Sequence, residues 1–166
     1  MTIDRELFKA GMRQLASGVT IIATQHDGER RGLTATAVCS VSTDPPTLLC
    51  CVNRQSKPHD LIEAAGCFSI NVLAVEDAAL ANRFSGGETG EARFEVGSWG
   101  TLVTGAPILE TALASFDCAV TETLDGITHT VFIGRVRAVA TRPGRPALLY
   151  AEGDYAGLAR LNTETG

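Results

Sequence analysis

Apolar residues recur along the chain with two spacings, one typical of helices and one typical of strands. Phe8, Met12 and Leu15 share one face at helical spacing. Helices are predicted over residues 4–16, from an N-cap at Ser56 to about residue 65, and over roughly 76–84. Strands are predicted over residues 19–24, about 31–42, 47–53, 68–72, 115–124 and 128–140, with a short segment from 147 onward.

The predicted strand over residues 128–140 changes the phase of its apolar residues. Val131 and Ile133 occupy odd positions, whereas Val136 occupies an even one. Because a regular strand keeps one face, we predict a β-bulge at or beside Gly134. At least six strands, hairpin turns and three short helices favour a mostly β fold, an antiparallel barrel with a few peripheral helices.

Length and composition restrict the class of protein. A chain of 166 residues with 45% hydrophobic residues predicts one soluble domain over residues 1–166. Charged residues interrupt the N-terminus and apolar runs stay short, so we expect no signal peptide, no membrane segment and a cytoplasmic location. The net charge of -5, without a Lys/Arg block, disfavours a nucleic-acid partner.

Known catalytic and metal-binding motifs do not fit the sequence. The five cysteines are odd in number and form no Cys-x-x-Cys pair, so neither a disulfide framework nor a zinc site is expected. Gly86-Gly87 and Gly90 lack the spacing of a dinucleotide fingerprint. His26, His59 and His129 have no cysteine or carboxylate at ligand spacing, and no metal site is expected.

The segment from Gly32 to Ser42 consists almost entirely of small residues. In one interpretation, such a strand lets a flat ring approach its backbone, whose N–H and C=O groups then meet the polar edge of an isoalloxazine. In the other, it is a tightly packed barrel strand. The next segment, 53–60, joins a buried strand to a helix start with Ser56 and Lys57. It is either a phosphate site or an ordinary N-cap followed by Pro58.

A series of motifs, in order over about 150 residues, resembles one known family. The motifs are Gly32-Leu-Thr-Ala-Thr-Ala-Val-x-Ser-Val-Ser42, Asp44-Pro-Pro, Cys51-Val-Asn-Arg-x-Ser56, Phe68-x-Ile-Asn-Val-Leu73, Leu80-Ala-x-Arg-Phe-Ser-Gly86, Phe94, Trp99, Thr128-His-Thr-x-Phe-Ile-Gly134 and Leu149-Tyr-x-x-Gly-x-Tyr155. The sequence is similar to the short-chain NAD(P)H:flavin oxidoreductases, the reductase components of two-component flavin-dependent monooxygenases. The resemblance implies an FMN-binding split β-barrel of Greek-key type.

The resemblance also implies where a flavin, FAD or FMN, would bind. The residues expected around the isoalloxazine and ribityl chain are Thr34, Ala35, Thr36, Ala37, Ser40, Val41 and Ser42. Those expected at the ribityl and phosphate groups are Val52, Asn53, Arg54, Ser56 and Lys57. Arg83, Phe84 and Ser85 are expected to close the far side. Relatives of this kind are usually homodimers with flavin sites near the subunit boundary, and a monooxygenase partner is expected.

For the nicotinamide nucleotide, the resemblance points to two further regions. His129 matches a histidine beside the nicotinamide, although Gly126-Ile-Thr-His129 replaces the Gly-Asp-His that is common in the family. The residues expected to form the wall over the nicotinamide are Tyr150, Glu152, Gly153 and Tyr155, and Ala151 is expected to bind the cofactor as well. Glu152 and Asp154 would repel a 2′-phosphate, so NADH is expected over NADPH. Two alternatives stay open: a flavoprotein with permanently bound FMN that reduces another acceptor, and a non-catalytic flavin- or haem-binding protein.

Overall fold

The computed structural model describes residues 3–159, which contain three α-helices and twelve β-strands. The helices are α1 (Arg5–Met12), α2 (Lys57–Ala65) and α3 (Ala78–Ser85), with 3-10 turns at Val75–Asp77 and Gly90–Glu95. The strands are β1 (Ser17–Gly18), β2 (Thr20–His26), β3 (Glu29–Ala35), β4 (Val38–Thr43), β5 (Pro46–Asn53), β6 (Cys67–Val72), β7 (Trp99–Thr101), β8 (Pro107–Leu109), β9 (Ala114–Gly126), β10 (His129–Thr141), β11 (Leu148–Ala151) and β12 (Asp154–Gly157).

Seven strands form the main antiparallel sheet, in the order β3-β2-β6-β9-β10-β5-β4. Its two edge strands, β3 and β4, follow one another in the chain and are separated only by Thr36 and Ala37. The Ala37 carbonyl accepts a hydrogen bond from Cys51 N at 3.0 Å. The sheet must therefore curve, so that the end of β3 lies close to the start of β4. Two smaller sheets, β1-β11-β12 and β7-β8, complete the strands.

The prediction of one continuous strand over residues 31–42 is wrong. The chain pairs with β2 up to Ala35 and with β5 from Val38 onward, so it leaves one edge of the sheet and joins the other. A second irregularity follows in β4, where the register shifts between Ser40 and Ser42. Strand periodicity cannot reveal this break, because small residues occupy both sides of it.

The bulge predicted beside Gly134 is confirmed. Ile133 pairs with Glu122 and Gly134 with Val120, which leaves Thr121 as the extra residue on β9. A second register shift lies between Val136 and Ala138 on β10.

The phase change used to predict this bulge is, however, absent from the burial of β10. Phe132 and Gly134 are buried and Val136 packs against the core, so even-numbered residues stay on the inner side through this bulge. The faces exchange only beyond the second register shift, where Val139 pairs with Phe116. Gly134 is required there for space, since a Cβ would lie 2.6 Å from Phe68 Cζ and 2.9 Å from Cys118 Cβ.

Two buried apolar clusters fill the interior. One surrounds Phe84 of α3, where Phe94 and Trp99 pack with ring centroids 5.1 and 5.5 Å from the Phe84 ring. The other lies between the sheet and α2, and includes Ile62 and Phe132. Between residues 3 and 159, no helix combines the length and apolar character needed to cross a membrane.

The helices differ in how firmly they attach to this interior. Helix α2 ends at Gly66, whose φ of +64° and N–H bond to the Ile62 carbonyl are typical of a left-handed C-cap. Helix α1 buries none of its residues and is shorter than the predicted 4–16. The main chain just beyond its end is held where Glu152 N donates to the Arg13 carbonyl at 2.8 Å.

Candidate functional site

Three adjoining cavities form one groove along the β3 edge of the sheet. The first, of about 370 Å³, extends from the start of α2 to β3 and the end of α3. The second, of about 470 Å³, shares Thr34 and Ser85 with the first and continues to the β11–β12 turn. The third, of about 350 Å³, shares Thr36, Tyr150 and Gly153 with the second and reaches α1. We call these three cavities the groove.

The α2 end of the groove is positively charged. Lys57, Arg31 and Arg93 line it together with the hydroxyl residues Ser56 and Thr89, and no carboxylate from the described part of the chain lines it. Ser56 stands at the N-cap of α2, but its hydroxyl donates to the Asn53 carbonyl at 2.7 Å and does not cap the helix. The first turn of α2 and three cationic side chains therefore favour an anion such as a phosphate group.

Arg93 holds the walls of this end together, and sequence reasoning missed it. Its Nη1 donates to the carbonyls of Gly32 on β3 and Phe84 on α3, both at 2.8 Å. Its Nε donates to the Glu88 carbonyl at 2.7 Å. Partial burial lowers the pKa of the Arg93 guanidinium, because burial disfavours the charged form. The only sequence feature that singles it out is a basic residue directly before Phe94 in a glycine-rich segment.

Arg83, which was expected to close the flavin site, points elsewhere. Its Nε donates to the Ala92 carbonyl at 3.2 Å, and its guanidinium lies 3.7 Å from Glu95 Oε2. It is absent from the lining of the groove, whereas the neighbouring Phe84 and Ser85 line it. The arginine at this wall is thus Arg93 and not Arg83.

The middle of the groove follows the backbone of β3. Because β3 is an edge strand, alternate N–H and C=O groups face away from β2. Arg93 binds the Gly32 carbonyl on this strand, so the part of the edge available to a ligand lies nearer Thr34 and Thr36. Thr34, Ala35 and Thr36 line this part of the groove. The Thr34 hydroxyl donates to the Ala81 carbonyl at 2.6 Å, which ties β3 to α3. An edge of alternating donors and acceptors suits a flat heterocycle with a polar rim.

An aromatic wall and a tight turn close the far end of the groove. The Tyr150 and Tyr155 rings meet edge to face with centroids 5.8 Å apart. Burial raises the pKa of the Tyr155 hydroxyl, and the neighbouring Tyr150 adds to this effect. Between them, Glu152 and Gly153 adopt φ values of +56° and +90°. Ala151, Glu152 and Gly153 all line the groove.

Several residues predicted for the site lie outside the groove. Ser40 and Ser42 line a separate shallow cavity on the sheet, and the Ser42 hydroxyl donates to the Asp44 carbonyl at 3.0 Å. Val41 between them is half exposed, and Val52 is fully buried in the core, where its side chain cannot reach a ligand. Ala37 lies at the joint between the two sheet edges.

His129, Arg54 and Asn53 cluster at the adjoining ends of β5 and β10. His129 pairs with Asn53 across the two strands, and its Nδ1 lies 2.9 Å from the Thr128 hydroxyl. Arg54 is bound to Asp125, with Nη2 2.9 Å from Oδ1. None of the three lines the groove. His129 of this chain is therefore not among the residues that a nucleotide bound in the groove would contact.

His59, for which the sequence predicts no role, connects α2 to the sheet. Its ring is buried, with Nε2 2.7 Å from the Thr130 hydroxyl and Nδ1 2.9 Å from Asp60 Oδ1. The ring also packs against Phe132 at a centroid distance of 5.5 Å. These contacts fix the start of α2, and with it Ser56 and Lys57, beside β3.

Comparison with known proteins identifies the family. The flavin reductase-like domain family matches residues 12–159. The chain belongs to this family. This match confirms the prediction from the motifs that the chain is similar to flavin reductases, which are oxidoreductases.

The chain is similar in sequence and in structure to flavin reductases. The chain is 43% identical over 148 residues to the FMN reductase (NADH) RutF of Agrobacterium fabrum, which is 89% of this chain and 85% of that protein. The structure of the Streptomyces globisporus NADH:FAD oxidoreductase SgcE6 matches with a TM-score of 0.89 and 28% identity, over 96% of each chain. BorF, the flavin reductase component of a bacterial two-component tryptophan halogenase, matches with a TM-score of 0.87 and 30% identity, over 95% of this chain and 100% of that one.

Proposed function

We propose that this protein uses NADH to reduce a flavin that binds in the groove, with FMN as the flavin. The observation that carries the proposal is the continuity of the groove, from a cationic phosphate-binding end, along a free backbone edge, to an aromatic wall. Family membership and the FMN reductase relative support the same activity. The nicotinamide supplies a hydride from its C4, and the flavin accepts it at N5.

The protein itself supplies position and a shielded surface. Ser56, Lys57 and Arg31 would hold the phosphate, and the edge of β3 would meet the polar rim of the isoalloxazine. Tyr150 and Tyr155 would cover the nicotinamide. No side chain is required to take or give a proton in the hydride step, so the rate depends on how closely the two rings are held. Glu152 and Asp154 at the far end would disfavour the 2′-phosphate of NADPH.

We further propose that the protein is a homodimer whose sheet forms the split barrel expected for this family. The consecutive edge strands β3 and β4 support such a closure. Val41 on β4 and Val139 on β10 are each 51% exposed, and Val139 lines a shallow cavity of about 290 Å³ between these strands. A second copy packed over this region would bury both valines. His129 keeps a proposed role beside the nicotinamide if the dimer brings it to the partner's groove.

The reduced flavin would leave for a separate monooxygenase. The match to BorF, a component of a two-component enzyme, supports a partner that consumes reduced flavin. A flavin that shuttles must be released, and the groove lies open at the surface, which supports weak and reversible binding.

The test is NADH oxidation followed at 340 nm with excess free FMN, FAD or no flavin. Many turnovers with free flavin would support the proposal. A yellow protein that oxidises NADH only with another acceptor would replace it by a bound-flavin enzyme, and a colourless, inert protein would refute it.

A matched pair of variants locates the site. Lys57→Gln should raise the KM for FMN about tenfold through loss of a charge-assisted contact. Arg135→Gln removes the same charge from an exposed position on β10 and should leave that KM unchanged.

A further inference from the structure

The two cavities that meet at the start of α2 differ in charge. The phosphate end of the groove has three cationic residues in its lining and, among residues 3–159, no carboxylate. The cavity just outside it, of about 390 Å³, is lined by Glu29, Asp60 and Leu61 together with the shared Arg31 and Lys57. Two carboxylates thus lie beside the shared cations, one at the start of β3 and one in the first turn of α2.

Glu29 and Arg31 are paired with each other at the boundary of these two cavities. The Arg31 guanidinium is bound to the Glu29 carboxylate, and Arg31 Nη1 donates to the Arg30 carbonyl at 2.9 Å. Asp60 is fixed nearby, because its carboxylate holds His59 Nδ1 at 2.9 Å.

We infer that Glu29 and Asp60 select a flavin that ends in one phosphate over a flavin that continues into an adenosine diphosphate. The inference rests on the proposed function and names the determinant of its flavin preference. FMN ends in a phosphate monoester, which finds only cations at the groove's end. The second phosphate of FAD would enter the outer cavity, where Glu29 and Asp60 offset the positive charges of Arg31 and Lys57.

The expected effect is moderate because both carboxylates are partly or largely exposed. A like charge at 4–8 Å in a solvent-like dielectric weakens binding about two- to fivefold. Salt should reduce the effect, since the Debye length is about 8 Å at physiological ionic strength.

The experiment measures dissociation constants of riboflavin, FMN and FAD by isothermal titration calorimetry, without NADH and without turnover. The proteins are the wild type, Glu29→Gln, Asp60→Asn, the double variant, and the control Glu122→Gln. Glu122 is an exposed carboxylate on β9 that lies outside both cavities. Each protein is measured at low salt and in about 0.5 M salt.

We expect the wild type to bind FMN more tightly than FAD, and the double variant to reduce that ratio about four- to tenfold. Glu122→Gln should leave the ratio unchanged, and high salt should narrow the difference between the FMN and FAD affinities of the wild type. Equal affinities for FMN and FAD, or a preference that survives in the double variant, would overturn the inference while leaving the proposed function intact. Failure of all three flavins to bind would refute both.

Discussion

Gly32 gives the sharpest test of how the groove is built. It lies on β3, where Phe84 of α3 packs directly against its Cα. A Cβ at this position would lie 2.8 Å from Phe84 Cε1, 3.0 Å from Cδ1 and 3.1 Å from the backbone oxygen of Ile22. The ring cannot move away easily, because Phe94 and Trp99 pack on it with centroids 5.1 and 5.5 Å away.

The Gly32→Ala substitution should therefore destabilise the protein through overpacking. Such clashes cost about 1–3 kcal/mol, and the reduced entropy of the unfolded chain returns roughly 0.5 kcal/mol. For a chain of this size, 1 kcal/mol shifts the melting temperature by about 2–4 °C. The expected decrease in melting temperature is thus about 1–10 °C. The FMN affinity should fall too, since Arg93 binds the carbonyls of both Gly32 and Phe84.

The matched control is Gly18→Ala on β1, where an added Cβ would have no atom of the described residues within 4 Å beyond its chain neighbours. It makes the same chemical change and should leave the melting temperature within about 1–2 °C or raise it slightly. Thermal unfolding followed by circular dichroism compares the two variants. If Gly32→Ala melts at the same temperature as Gly18→Ala, Phe84 does not pack against β3 as described.

Four further predictions concern the nicotinamide site and the thiols. His129→Ala should slow flavin reduction about tenfold, and unchanged stopped-flow kinetics would reject a role for this residue. Glu152→Lys should raise the ratio of kcat/KM for NADPH over NADH about fivefold, because a repulsive charge becomes attractive; a constant ratio would place the discrimination elsewhere. Burial raises the pKa of Cys118 from 9.0 to about 12. Its native thiol therefore keeps its proton above pH 9, whereas the unfolded thiol loses it, so the free energy of unfolding should fall as pH rises through that window. Urea unfolding at pH 8 and pH 10 checks this, and Cys118→Ala should show a smaller difference. At pH 8, the exposed Cys39 should react with a disulfide reagent long before Cys118 does.

Local patterns in the sequence predict much of the secondary structure because each depends on neighbouring residues. Gly66 ends α2 as expected, and Asp27-Gly28 forms the turn between β2 and β3 with positive φ at both residues. Thr34, Thr36, Ser56 and Lys57 do line one groove. These positions could be found because they lie within two short motifs. One motif forms the edge strand β3, and the other forms the start of α2.

Features that depend on distant partners could not be read in the same way. The exchange of sheet edges at Thr36-Ala37 leaves no trace in the polarity of the residues around it. Arg93 acts through three carbonyl groups from distant segments, and carbonyls have no sequence signature. The bulge beside Gly134 was predicted at the right place, but for a reason that does not hold. The prediction assumed that apolar residues change from odd to even positions there, whereas Phe132, before the bulge, is already buried at an even position.

The irregular register in β4 affects how this protein can associate with other chains. A regular edge strand offers an uninterrupted row of backbone donors and acceptors, on which a foreign strand can add and start aggregation. In β4 the shift between Ser40 and Ser42 interrupts that row at Val41. An extra residue bends the strand and misaligns any incoming ladder. Addition of a foreign strand at the β4 edge is therefore disfavoured.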